Sequence, residues 1–152
     1  MTNRPELLVS GGQTGADQGA LVAARVLGIR TGGYAPRGWR TEEGPWPGLS
    51  GYGLVEHTSP DYITRTAANI HLADATVIFG RPSVGSTRTR EICESTGKPL
   101  IWITANKTGE IVRFRLWLAR YRPRVLNAAG NRESVTPGIH DLVRDFLVKA
   151  LS

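Results

Sequence analysis

Cysteine is nearly missing from this chain: Cys93 is the only one in 152 residues. That excludes a disulfide framework and a cysteine-built metal site, and it points to a reducing compartment. Cys93 itself reads as a small apolar residue on a helix face. Nowhere do about 18 apolar residues run together, the length a spanning helix needs, and the start MTNRPELLVS has no apolar stretch behind a basic segment. The expectation is a soluble, cytoplasmic protein that does not enter a membrane. Histidine is scarce as well. His57, His71 and His140 are scattered, with no His-x-x-x-His pair and no carboxylate cluster at ligand spacing, so no metal held directly by side chains is expected. A Gly-x-Ser-x-Gly elbow for a nucleophilic serine is also absent. Acidic residues are the minority, 13 against 19 Lys and Arg, for a formal net charge of +6. Such a balance favours anionic partners: phosphorylated metabolites, nucleic acid or acidic surfaces. No repeat and no low-complexity tract interrupts the chain, and its length fits a single domain over residues 1–152.

Glycine, in contrast, is well placed. Ser10 to Leu21 reads SGGQTGADQGAL, a glycine-rich turn between the apolar run Leu7, Leu8, Val9 and an alanine- and leucine-rich helical run ending near Leu27. Gly11, Gly12 and Gly15 would let backbone approach an anion with no Cβ in the way, and a helix start carries the positive end of the helix dipole. Thr14 is positioned to cap that helix, with Asp17 three residues on completing a capping box. The spacing is not Gly-x-Gly-x-x-Gly and no lysine follows, which excludes the dinucleotide fingerprint and the common triphosphate loop.

Periodicity gives an alternation of strands and helices. Strands are expected near Glu6 to Ser10, Ile29 to Gly33, Ala75 to Phe79, Pro99 to Thr104 and Val125 to Asn127. Helices are expected from Gly15 to Leu27, from Ser59 through Ala73, from about Ser86 to Thr96, from Glu110 to Tyr121 and from Pro137 to Leu151. Ser59 is the expected N-cap of the second helix, with Pro60 at its first position. Short apolar strands alternating with helices imply a sheet covered on both faces. The fold class is therefore α/β, a single Rossmann-like doubly wound domain with a mainly parallel five-stranded sheet. Between the second strand and the second helix lies a long segment, residues 34–58, with Pro36, Pro45 and Pro47 and the tryptophans Trp39 and Trp46. It reads either as a lid, offering Arg37 and Arg40 to a ligand, or as a packed surface loop.

The basic run Arg113, Arg115, Arg120, Arg122, Arg124 is interleaved with Phe114, Trp117 and Tyr121. Nucleic-acid binding would use such a face. Helical spacing puts Arg113, Trp117, Arg120 and Arg124 on one side and Ile111, Phe114, Leu118 and Tyr121 on the other, an ordinary amphipathic arrangement. A solvated face or an oligomer contact is the expectation, not a nucleic-acid interface.

Four blocks carry a family resemblance: Ser10 to Leu21, Thr31 to Gly38 (TGGYAPRG), Thr64 to Phe79 with Asn69 and Asp74, and Val125 to Ser134 (VLNAAGNRES). A fifth, Gly85 to Glu91 followed by Gly97-Lys98-Pro99, falls at the expected interval. On these residues the chain resembles the putative molybdenum carrier proteins. This bacterial, phage and algal family lies within the Rossmann-like group that includes the cytokinin-activating nucleotide phosphoribohydrolases. The resemblance implies a pocket for the molybdenum cofactor, a pterin with a dithiolene-held metal and a terminal phosphate, and self-association into a homo-oligomer. Three positions depart from the family pattern. Asn131 stands where Gly-Pro-Arg-Glu-Ser has its proline, Gly85-Ser86-Thr87 replaces paired glycines before threonine, and Gln18 replaces a common Arg or Lys.

In a doubly wound sheet the turns after Val9, Phe79 and Asn127 should meet at the carboxyl ends of neighbouring strands. The expected ligand-binding residues are Ser10, Gly11, Gly12, Gln13, Thr14, Gly15 and Asp17 of the first turn, Arg37, then Gly85, Ser86, Thr87 and Glu91, and finally Gly130 and Arg132 of the far wall. The leading expectation is a non-catalytic carrier of a phosphorylated pterin or nucleotide-like molecule, with the molybdenum cofactor as cargo. Two alternatives stand beside it. One is a sponge or sensor for an adenine-nucleotide signal of the ADP-ribose type. The other is a nucleotide phosphoribohydrolase in which Glu91 acts on the ribose, as the resemblance to those enzymes suggests.

Overall fold

The computed structural model describes residues 3–152. Six strands, β1 (Leu7–Val9), β2 (Arg30–Ala35), β3 (Leu54–Glu56), β4 (Ala75–Phe79), β5 (Leu100–Ile103) and β6 (Val125–Gly130), alternate with helices. The helices are α1 (Ala16–Leu27), α2 (Tyr62–Leu72), α3 (Val84–Thr96), α4 (Thr108–Tyr121) and α5 (Ile139–Ala150). All strand pairings are parallel, in the order β3-β2-β1-β6-β4-β5. The Rossmann-like α/β reading holds with one correction: the sheet has six strands, not five. The sixth, β3, comes from the segment expected to be structureless. Leu54 is buried beneath a 3₁₀ turn over Pro47–Tyr52 and pairs with Gly33.

The strands form because their apolar runs are buried from both sides; every residue of β4 is buried. Helices α1, α5 and α4 pack together on one face, and α2 and α3 pack on the other. The core on the first face centres on Phe79, Phe114 and Phe146, whose rings approach edge-on or tilted at 5.5 Å. Beginning the chain at β6 would turn the sheet order into 4-3-2-1-5-6, which winds outward from the first strand and then crosses to its other side. The chain ends are close enough for that rearrangement, since Arg4 Nε donates to the Leu151 carbonyl at 2.6 Å.

Helix starts differ from the sequence expectations in an instructive way. Gly15, not Thr14, caps α1, at φ 82° and without any side-chain bond. Thr14 Oγ1 is engaged elsewhere, accepting from Glu133 N at 3.3 Å. Helix α2 starts at Tyr62 with Asp61 as the cap, because Asp61 Oδ1 reaches Ile63 N and Ser59 Oγ is taken by Asp61 N. Helix α3 begins two residues before Ser86: Ser83 and Ser86 form a reciprocal capping box. At the other end of α2, Lys98 Nζ donates to the carbonyls of Ile70, His71 and Ala73, satisfying the acceptors a helix end leaves open.

The segment 34–58 is fastened along its length. Arg37 N donates to Ser59 O, Gly38 N to Glu56 Oε2, Glu42 N to Gln13 Oε1 and His57 N to Ala35 O. The basic run is likewise occupied. Arg113 binds Glu110 and the Trp102 carbonyl, Arg115 holds the Lys149 and Ala150 carbonyls at the end of α5, and Arg124 binds Glu6. Two expectations for this run are corrected: α4 stops at Tyr121, so Arg124 is not on the helix, and Tyr121 is exposed. Among the described residues no helix is long and apolar enough to cross a membrane.

Candidate functional site

The carboxyl ends of β1, β6 and β4 lie side by side, so the turns that follow them surround one cleft of about 650 Å³. Its walls come from Gln13 and Asp17 after β1, Gly130 to Arg132 after β6, and Arg81 to Ser86 after β4. Helix α2 closes the remaining side with Tyr62, Ile63, Arg65 and Thr66. This is the crevice position that open α/β sheets use for ligands.

The glycine turn does not present a bare row of N–H groups, because the protein supplies its own anion. The Asp17 carboxylate accepts from Gln13 N at 3.2 Å and from the Gly11 N–H, and the Arg65 guanidinium stands 3.6 Å from it. Other donors of the turn are internal too: Gly12 N goes to Ser10 Oγ, Thr14 N to Gln13 Oε1 and Ala16 N to Asn131 O. The glycines serve close packing. A Cβ on Gly11 would stand 1.7 Å from Arg65 Nη1, and one on Gly15 would stand 2.5 Å from Asn131 O.

Burial dominates the electrostatics. Asp17 is 4% exposed, and desolvation pushes its pKa up to about 6 against the opposing pull of Arg65 and the Gln13 N–H. Arg65 is lowered from its ordinary value for the same reason, with Asp17 pulling the other way. Two donors in this wall lack a partner: Arg65 Nε and Gln13 Nε2, on side chains 8% and 6% exposed. Buried donors without acceptors are rare and costly, and these two stand together in this wall. Arg65 is joined by Arg132 and Arg40 around the Tyr62 ring, at 5.8, 5.4 and 5.2 Å from its centroid.

Asn131 ties two of the loops together. Its Oδ1 accepts from Arg81 N and Thr136 Oγ1, and its Nδ2 donates to Arg81 O and Ser83 Oγ. The departure from a proline at this position thus brings its own set of bonds. Asn69, on α2, binds Tyr34 N and Tyr34 O and so fixes that helix against β2.

Of the residues singled out from the sequence, Gln13, Asp17, Gly85, Ser86, Gly130 and Arg132 line the cleft. Ser10, Gly11, Gly12 and Gly15 are buried behind it. Thr14 lines a neighbouring depression with Gln18, Thr41 and Trp46. Thr87 and Glu91 face another depression on the outer side of α3, and Arg37 is exposed away from the cleft. No residue of 34–58 is among those lining the cleft, although Arg40 reaches Tyr62 on its rim. Sequence reasoning missed Arg65, Tyr62, Arg81 and Arg88. The one signal for Arg65 was its place four residues before Asn69, on the same helix face. His57 and His71 meet at a shallow site beside β3, and among the described residues no group of three potential ligands could hold a metal.

Comparison with known proteins agrees with this fold. No curated protein matches the chain. A crystal structure of a putative molybdenum carrier protein from Syntrophus aciditrophicus superposes with a TM-score of 0.93 at 32% identity, over 100% of this chain and 98% of that one. Residues 8–151 match the circularly permutated YpsA SLOG family, in keeping with the strand order that a start at β6 would regularise. The chain belongs to the circularly permutated YpsA SLOG family.

Proposed function

We propose that this protein binds and carries a phosphorylated pterin or nucleotide-like small molecule in the cleft without transforming it, the molybdenum cofactor foremost. The observation that carries the reading is a cleft at the carboxyl ends of β1, β6 and β4 lined by Arg65, Arg81, Arg88 and Arg132, with Asp17 as the single carboxylate among its described lining residues. An anionic oxygen is the acceptor such a wall fits. The similarity to a protein described as a molybdenum carrier favours the cofactor as cargo. Tyr62 and Ile63 supply an apolar surface for a ring system beside the charged groups. The cargo's metal would arrive within it and needs no ligand from the chain.

Hydrolysis is the weaker reading. Glu91, the carboxylate it calls for, lies outside the cleft, and Asp17 is the single carboxylate among the described lining residues. That carboxylate is committed to Arg65 and to backbone N–H groups, and so is badly placed to act on a substrate.

Mass spectrometry of the small molecules released when protein purified from a cofactor-producing host is denatured tests the proposal. A phosphorylated pterin or its oxidised derivative is expected in near-stoichiometric amount. An adenine-nucleotide derivative of the ADP-ribose type would move the assignment to a sponge or sensor. Release of free base from nucleoside monophosphates, abolished by Glu91→Gln, would overturn the non-catalytic role.

A further inference from the structure

Of the arginines that line the cleft, Arg65 is the one that is buried, and its charge is only loosely committed. Its Nη1 stands 3.6 Å from Asp17 Oδ2, an ion pair too long for a hydrogen bond. Its Nε has no acceptor among the described residues, and the Gln13 Nε2 of the same wall has none either. Asp17 in turn is bound more closely by the backbone, through Gln13 N at 3.2 Å and the Gly11 N–H. Other charged groups around α1 leave this pair to itself. The turn after β6 brings Arg132, which acts on Asp17 and on Arg65 alike. Glu42 of the long segment accepts from Ser134 N, and Glu133 accepts from Gly138 N and His140 N. On α5 the His140 ring is joined to Asp141. Strand β2 carries Arg30 at its amino end, away from the cleft, and Tyr34 at the shallow site beside β3. Asp17 is thus the acid that faces Arg65.

An anion that meets Arg65 Nε and Gln13 Nε2 draws on the same guanidinium and sets a second negative charge beside a carboxylate that water scarcely reaches. Two like charges sharing one site out of water disfavour each other's ionised form, and the group able to respond is the one that can take a proton. Resting on the binding role proposed above, we propose that an anion bound at Arg65 is taken up together with a proton on Asp17, so that the cleft holds its ligand more tightly as the pH falls and releases it as the pH rises. No bond of the ligand changes; the proton comes from solvent and returns to it on release. Linkage fixes the sign: a ligand that binds the protonated form better must strengthen the carboxyl's hold on its proton by the same factor. Burial has already brought Asp17 to about 6 from 3.8. Below that pH the proton is in place before the anion arrives, and a tenfold stronger hold in the complex puts the uptake between about pH 6 and 7.

Titration calorimetry of the whole chain with sulfate, which carries no proton of its own across this range, tests the coupling. At fixed ionic strength sulfate is expected to bind ~10-fold more tightly at about pH 5 than at about pH 8. At about pH 6.5, binding heats measured in buffers of different ionisation enthalpy should report an uptake of about half a proton per sulfate. That measurement needs no variant. Asp17→Asn, which is uncharged at every pH, is expected to change its affinity by less than ~3-fold over the same range and to lose the dependence on buffer. The histidines are common to both proteins, so the difference between them belongs to Asp17. Affinities of the unsubstituted chain within ~2-fold at the two pH values with no buffer dependence, or a pH dependence that persists in Asp17→Asn, would overturn the proton coupling and leave the binding role standing. Absence of sulfate binding by either protein would overturn the anion site at Arg65, and the mass spectrometry of released molecules decides the binding role independently.

Discussion

Asp17 is the residue on which the site turns. It occupies, as a carboxylate of the chain itself, the position where the glycine turn would hold a ligand's phosphate, and it anchors Arg65 in doing so. Its pKa, raised chiefly by burial to about 6 from 3.8, has a consequence for stability. A carboxyl whose folded pKa lies above its unfolded value holds its proton more tightly in the native state. The stabilisation this brings is complete below pH about 4 and is lost as the pH rises through about 6, on the order of 3 kcal/mol in all. Urea denaturation between pH 4 and 7.5 should therefore show the native protein losing stability across this window relative to Asp17→Asn, which has no proton to lose. Parallel curves for the two proteins would refute the assignment. The glycines and Asp17 were legible from the sequence; what they do was not. A glycine needed for the approach of Arg65, as Gly11 is, looks the same in one dimension as a glycine needed for the approach of a phosphate.

At the scale of elements, α2, which carries Arg65, is capped at its start by Asp61, tied to β2 by Asn69 and held at its end by a side chain from elsewhere. Lys98, reaching across from the end of α3, donates to three carbonyls at the end of α2. Truncating it leaves those acceptors without their charged donor, at a cost of about 2 kcal/mol. Lys98→Ala should lower the unfolding free energy by that amount in thermal or urea denaturation. Arg90→Ala, which loses an exposed pair with Glu94 and a long cation–π contact with Trp102, should change it by less than about 1 kcal/mol. Equal effects would mean that the carbonyl bonds contribute nothing. Strand and helix identities were readable because each apolar run is buried on both faces; β4 matches its expected span at both ends. The missed strand, β3, is three residues long and owes its pairing to β2 and the burial of Leu54, neither of which a local pattern contains. Helix starts slipped by one to three residues, at α2 because two polar side chains, Ser59 and Asp61, competed for the cap, and at α1, α4 and α5 because no side chain caps the helix.

For the whole molecule, the strand order is the property that no local signal could supply, yet it is what builds the site. Placing β6 between β1 and β4 brings three turns, far apart along the chain, to one crevice. The same order determines what the long segment 34–58 can do. Its strand β3 sits at the far edge of the sheet, beyond β2, and its middle is tied to the site through Arg40, which lies over the Tyr62 ring, and through Glu42, whose N–H donates to Gln13 Oε1 and whose carboxylate accepts from Ser134 N. These ties stand without any ligand and hold the Gln13 amide through its Oε1, so under the binding role proposed above the segment is expected to act as an outer buttress and not as a lid. Amide exchange of Gly38, Glu42, Trp46 and His57, whose N–H groups are all bonded, should then be slow in the ligand-free protein and change less than about twofold on saturation with a bound anion. Limited proteolysis within the segment should be equally indifferent. Strong protection only in the presence of ligand would instead make it a lid, with Arg37 and Arg40 brought over the cleft on binding.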